Sequence, residues 1–209
     1  LLLLIATISA EQLKVPSAYS TIQAGLNAAS SGDTVLVAAG TYAENIIWPD
    51  VNGIKLISAG DSSNAIIDGG GTSSVIYMNP SSATIDTTTL IQGFTIMNGG
   101  SVYYGGGFYI NNASPKIMDL TVSYNVTNNG GGGGIYISNS NLVLKNVIIS
   151  NNIADGGTSH DNSYGRGGGI LIEVGSIPSL NNVTISGNTA NFGGGIYQVD
   201  DSPFANLKN

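Results

Sequence analysis

Few residues in this chain can do acid–base or metal chemistry, and they are scattered. The only adjacent acid pair is Asp200-Asp201, the only histidine is His160 and the only arginine is Arg166. Glycoside hydrolysis needs two carboxylates about 5–9.5 Å apart across the scissile bond. Asp200-Asp201 reads instead as a solvated turn. Taking a proton from beside a uronate carboxylate needs a strong base, with Ca²⁺ or cationic groups to hold the charge. Ca²⁺ in turn needs several converging oxygens. Arg166, the lysines and the acids show no such pattern, and Lys116 and Lys145 fall at different offsets from their strands. Cysteine is absent, so there is no thiolate metal site, disulfide or cysteine nucleophile. The glycine runs lead into strand patterns rather than helices and read as tight turns, not phosphate loops. No catalytic residue, cofactor or metal ligand is expected.

Two features have binding content. From Val147 to Ile170 is 23 residues, whereas equivalent stretches are 14, 15 and 13 residues long. The extra length falls in 154–166, which holds Asp155, His160, Asp161, Tyr164 and Arg166. Loops on a rigid scaffold commonly carry binding residues; ordinary polar filling of a tolerated insertion is the alternative. The second feature is a column of tyrosines. Tyr109, Tyr136, Leu171 and Tyr197 occupy equivalent strand positions. If Ile135 and Ile137 point inward, this column points outward. Aromatic faces with polar tips suit glycans or protein partners, and simple stacking on an exposed sheet is the alternative.

The elements that carry these residues come from an internal repeat. A Gly-Gly-Gly-apolar block recurs as Gly105-Gly106-Gly107-Phe108, Gly132-Gly133-Gly134-Ile135, Gly167-Gly168-Gly169-Ile170 and Gly193-Gly194-Gly195-Ile196. The apolar positions lie 27, 35 and 26 residues apart. Between the blocks, Phe94-Thr95-Ile96, Leu120-Thr121-Val122, Val147-Ile148-Ile149 and Val183-Thr184-Ile185 repeat a period-2 strand pattern. Five positions after each strand start stands Gly99, Asn125, Asn152 or Asn188. These residue types tolerate positive φ in a turn, and stacked asparagines also form hydrogen-bonded ladders. A weaker third strand appears at Lys116-Ile117, Val143-Leu144 and Ser179-Leu180. Strands this short cannot bury an apolar face alone. Stacking coils, each strand parallel to its copy, makes one continuous core.

Composition agrees. Glycine is 30 of 209 residues and asparagine 23, while charged residues are 9% of the chain; such runs oppose long helices. Hydrophobic content of 42% excludes disorder. A net charge of −7 without a basic stripe excludes nucleic-acid binding and disfavours an anionic membrane surface.

The fold expected is all-β: one right-handed parallel β-helix over 11–209, about seven coils from Thr34 onward, with 11–33 as an N-terminal cap. Ser20-Thr21-Ile22-Gln23 fits a capping box with Ser20 as N-cap, opening a short amphipathic helix over 21–29. Residues 1–10, which open with four leucines and end in Ala10, are too short to span a bilayer. They read as the remnant of a secretory signal peptide, and no other stretch is a transmembrane candidate. Leu207-Lys208-Asn209 repeats Leu144-Lys145-Asn146, so the C-terminal end reads as a coil cut short.

The segments Tyr19–Leu26, Gly32–Val37 and Gly40-Thr41-Tyr42, together with the repeats, resemble the right-handed parallel β-helix proteins of the pectate-lyase-like superfamily. The repeat type is similar to that of bacterial surface and exported proteins, including polymorphic outer-membrane proteins. The resemblance covers roughly residues 15–209 and implies fold more than function, since it spans lyases, hydrolases, adhesins and inactive members. A hydrolase of the polygalacturonase kind would imply clustered aspartates and a histidine between glycines; His160 has no such flanks. The expected function is an exported, non-catalytic protein, secreted or at the cell surface, that binds a polysaccharide, a cell-surface glycan or a surface partner. The alternatives are a polysaccharide lyase or glycoside hydrolase with its catalytic residues in coils outside this sequence, and a spacer without ligand. A ligand is expected on the outer face of Tyr109, Tyr136 and Tyr197, as a shallow ribbon along the coil axis. Tyr164, His160 or Arg166 would lean over the break at Leu171.

Overall fold

A computed structural model of the chain describes residues 9–82, 84–157, 165–199 and 205–208. The chain forms the parallel β-helix expected from the repeats. Every strand pairing is parallel, and each strand pairs with its copy one coil away. Among the described residues one sheet has 11 strands, a second has six and a third has three.

The spacing of the repeat becomes register directly. Phe108, Ile135, Ile170 and Ile196 align across the six-stranded sheet. Lys116, Val143 and Ser179 align in the large sheet, as do Leu120, Val147 and Val183. Alternation then sends Ile117, Leu144 and Leu180 inward, and likewise Ile96, Val122 and Ile149. These apolar columns form the core. Each fully buried Val, Leu or Ile contributes about 1.5–3 kcal/mol, so stacking supplies what a single coil lacks.

Two of the expected strands are in fact one. Lys116–Ser123, Val143–Ser150 and Ser179–Ser186 are continuous eight-residue strands. Each bends at a single residue in the left-handed region: Asp119 (φ 54°), Asn146 (φ 54°) or Asn182 (φ 51°). Aspartate and asparagine accept this conformation because their side chains find local polar partners. Here those partners lie in neighbouring coils: Gln92 Nε2 and Asn146 Nδ2 donate to Asp119 (2.7 and 2.8 Å), and Asn182 Nδ2 donates to Asn146 Oδ1 (3.0 Å). Before the bend, strand alternation puts Lys116 and Lys145, which pairs with Met118, in adjacent outward rows of the same sheet. Their different offsets therefore do not separate them onto different faces.

The asparagine ladder forms, but inside the coil. Asn125 and Asn152 are fully buried. Asn125 donates through N and Nδ2 to Asn152 Oδ1 (3.0 and 2.9 Å), and Asn152 does the same to Asn188 Oδ1. The positive φ sits one residue earlier, at Asn98, Tyr124, Asn151 and Gly187. The ladder leads into a third small sheet of Val126–Asn128, Ile153–Asp155 and Thr189–Ala190.

The glycine triplets do more than turn. Gly132 has φ 66°, but Gly133 and Gly134 stack in register on the next triplet. A Cβ on Gly133 would stand 2.5 Å from Ile153 O and 2.6 Å from Gly168 O. Glycine is required there by close approach of backbone to backbone.

The N-terminal cap holds both a strand and a helix. Gln12–Val15 pairs in parallel with Thr34–Val37, so it is already a rung of the large sheet. The helix is Ile22–Ala28, and its N-cap is Thr21 rather than Ser20. Thr21 Oγ1 accepts from Ala24 N (3.0 Å). Glu44 accepts the two preceding free amides, Ile22 N and Gln23 N (2.8 and 2.9 Å). Gln23 does not close a capping box; it bonds Asn27 and the backbone of Ile47.

Candidate ligand-binding face

The tyrosine column is real and one member longer than its sequence pattern. Register aligns Tyr77, Tyr109, Tyr136, Leu171 and Tyr197 on the outer face of the six-stranded sheet. Tyr77 and Tyr109 stack with centroids 4.6 Å apart and planes 13° from parallel. Tyr109 and Tyr136 follow at 5.1 Å and 25°. Parallel strands place equivalent side chains one strand spacing apart, which is close to ring-stacking distance. Two residues further along the same strands, Asn111 Nδ2 donates to Asn79 Oδ1 (3.1 Å), so an amide row flanks the aromatic one.

A second row partly covers this column. Tyr104, Gly131, Arg166 and Phe192 stand just before the glycine triplets and align by isolated bridges. Tyr104 and Arg166 lean onto the next coil, whereas Phe192 meets a ring of its own coil. Tyr104 stacks on Tyr136 at 4.7 Å and 27°. A Cβ on Gly131 would meet Leu171 Cδ2 at 2.6 Å, so Leu171 fills the space that glycine leaves. Arg166 lies over the Tyr197 ring at 5.2 Å, with Phe192 edge-on to the same ring at 6.5 Å.

This changes the expected open ribbon. Tyr136 is only 9% exposed and Leu171 only 1%. Neither is available to a ligand, and the column is closed at its centre. Arg166 covers Tyr197 rather than the break at Leu171. Its Nε is buried without a hydrogen-bond partner among the described residues. Asp155 ends the strand Ile153–Asp155, so the insertion is shorter than 154–166. Its carboxylate accepts from Gly157 N (2.8 Å), an ordinary local turn. His160, Asp161 and Tyr164, and also Asp200-Asp201, lie outside the described residues.

The accessible aromatic surface lies toward the earlier coils. Tyr77 is 36% exposed, Tyr103 58% and Tyr104 37%. With Tyr109, Ser73 and Ser74 they line a cleft of about 220 Å³. Tyr103 and Tyr104 belong to the segment between Asn98 and the first triplet, which breaks the alternation of the strands. Burial raises the Tyr109 phenol above its ordinary pKa, helped by Tyr77 and Tyr104. Burial pushes Tyr136 up to about 12, with a hydrogen bond to Ser138 opposing and Glu173 adding to the rise. Both phenols are neutral at physiological pH.

A second cleft, about 390 Å³, lies along the strand bends. It brings together Asp61, Gln92, Asp119, Thr121, Asn146 and Ile148, a grouping the sequence spacing did not reveal. Two carboxylates thus share one groove. Hydrogen bonds from the Ser63 side chain and amide hold Asp61 below the usual carboxylate range. A general acid requires the opposite shift, and no lysine or arginine lines the groove. Among the described residues no group of three or more His, Cys, Asp or Glu side chains could hold a metal ion. Among them, too, no helix is long and apolar enough to cross a membrane.

The chain matches no family model and no curated protein sequence. Among solved structures it is similar to pectin methylesterase PemA from Erwinia chrysanthemi, at 12% identity and a TM-score of 0.46. The match covers 84% of this chain and 65% of the enzyme. The chain therefore spans less than two thirds of that protein's length. At this identity the likeness concerns the fold alone.

Proposed function

We propose that this chain is a non-catalytic, glycan-binding β-helix that works outside the cell, either secreted or at the cell surface. One observation carries the binding: Tyr77, Tyr103, Tyr104 and Tyr109 form an accessible aromatic cluster on a rigid parallel sheet. Exposed aromatic clusters mark interaction surfaces. Flat rings with hydroxyl tips suit sugars, which offer C–H faces and hydroxyls together. The apolar run at residues 1–10 supports export. A net charge of −7 repels polyuronates and favours a neutral glycan.

The test is a glycan array probed with the purified chain, followed by titration of any hit. Binding of neutral glycans that falls roughly tenfold in Tyr109→Ala is the expected result, a loss of about 1.4 kcal/mol. Undiminished binding in that variant would refute the assignment to this face. Release of reducing or unsaturated sugars from polysaccharide would favour a hydrolase or lyase instead.

A further inference from the structure

Building on the glycan reading, we infer that the cleft between Tyr103-Tyr104 and the Tyr77–Tyr109 stack grips the terminal ring of a neutral glycan end-on. The rest of the glycan then leaves toward solvent rather than along the coil axis.

Size is the first argument. The cleft holds about 220 Å³, below the roughly 300–1,000 Å³ of sites that enclose drug-sized ligands. That is room for one pyranose ring, not for several.

Its walls are the second. Tyr77 and Tyr109 stack face to face, their planes 13° apart. Tyr103 and Tyr104 rise beside them, tilted 52° from each other with centroids 6.2 Å apart. Tyr77 and Tyr136 cover the two faces of Tyr109, so the stack offers its ring edges and hydroxyls, and a sugar ring can lay a face against the exposed Tyr103 ring with its hydroxyls toward the stack.

The third is obstruction. A glycan running lengthwise would have to pass from Tyr109 over Tyr136, Leu171 and Tyr197. Tyr104 covers Tyr136, Leu171 is buried, and Arg166 lies over Tyr197. The aromatic path is closed one coil beyond the cleft.

The fourth is charge. The lining is Ser73, Ser74, Val102 and four tyrosines, with no lysine, arginine or carboxylate. A uronate or sialate group would enter a tyrosine-walled space without a cationic partner, at a desolvation cost that nothing repays. Ser73, Ser74 and the phenols offer hydroxyls for hydrogen bonds instead.

The experiment is a competition series against an immobilised array hit. It uses neutral methyl hexopyranosides and the matching oligosaccharides of increasing length. The methyl glycoside is expected to compete, and affinity to stop improving after about two rings. Tyr103→Ala, on a side chain already largely exposed, should weaken binding roughly fivefold with an unchanged circular dichroism spectrum. Tyr124→Asn, on an exposed tyrosine outside the cleft, should bind as the parent does. Affinity that climbs steadily with chain length and falls equally in Tyr103→Ala and Tyr197→Ala would overturn the end-on mode while leaving a glycan-binding face. Loss in Tyr109→Ala without loss in Tyr103→Ala would likewise overturn the clamp. Failure of every neutral glycan to bind would overturn both readings.

Discussion

The ring of Tyr104 stacks on that of Tyr136 from the following coil, with centroids 4.7 Å apart. Tyr136 is thereby sandwiched, because Tyr109 lies against its other side at 5.1 Å. A residue whose alternation points it outward is thus buried on the outer face by its neighbours' rings. Tyr136→Ala should cost about 3 kcal/mol, as for other buried aromatic truncations. Tyr136→Phe keeps the sandwich and should cost less than about 1 kcal/mol. Urea unfolding of the two variants measures the difference. Equal stability of Tyr136→Ala and the parent would show that the stack contributes nothing.

The same sandwich sets a pH limit. Burial holds the folded-state pKa of Tyr136 at about 12, above the ~10 of an unfolded tyrosine. A pKa raised on folding means that the folded state prefers the protonated phenol. The contribution is complete below about pH 10 and is lost as pH climbs from there toward 12. Thermal unfolding in this alkaline window should show a stability loss that is smaller in Tyr136→Phe. An identical alkaline profile in both proteins would exclude Tyr136 as the cause.

The coil was readable in the sequence because a solenoid turns spacing into register with no intervening step. The 26- and 27-residue intervals between strands are the alignments of Ile170 with Ile196 and of Leu120 with Val147. The binding face was less readable, for a physical reason. Tyr109 and Tyr136 share a strand position, but their exposure depends on what Tyr104 does, and the repeat position of Tyr104 holds a different residue type in each later coil: Gly131, Arg166 and Phe192. Tyr103 was missed for the same cause. Tyr77 was missed because the earlier coils vary in length. Asp61 and Asp119 share a groove only because the segment after Lys55–Ser58 is longer than the one-residue bends of later coils. The cap was misplaced by one residue, since Ser20 and Thr21 are both good N-caps. Glu44, which helped decide between them, arrives from the next coil.

The internal asparagine ladder makes a second stability prediction. Asn152 is fully buried, accepts two hydrogen bonds from Asn125, and donates to Asn188 Oδ1 and Val122 O. Asn152→Ala leaves the buried Asn125 N without its acceptor and removes a donor from Val122 O, while Asn125 Nδ2 keeps Ile96 O and Ser123 O. Each unsatisfied group costs about 1–3 kcal/mol, so the total should be on the order of 3 kcal/mol. Asn188→Ala should cost less, because Asn188 is only half-buried and water can replace part of its role. Chemical denaturation ranks the pair. The reverse order would mean that the ladder is not continuous through Asn152.

The final prediction concerns the helix that closes the N-terminal coil. Its first two amides, Ile22 N and Gln23 N, are held by the Glu44 carboxylate, and Ala24 N is held by Thr21 Oγ1. A carboxylate at this position satisfies two donors and also meets the positive end of the helix dipole. The helix covers Val15 and Val35: a Cβ on Gly25 would lie 3.2 and 3.0 Å from their side chains. Loosening its start therefore opens the end of the core. Thr21→Ala should cost about 1 kcal/mol, the usual loss for a removed cap. Glu44→Ala should cost at least as much, because it frees two donors rather than one. Ser20→Ala should stay within about 0.5 kcal/mol, as for an ordinary surface change. Hydrogen exchange at Ile22, Gln23 and Ala24 separates the two roles. Thr21→Ala should speed exchange at Ala24 first, and Glu44→Ala at Ile22 and Gln23. A larger loss in Ser20→Ala than in Thr21→Ala would restore Ser20 as the cap.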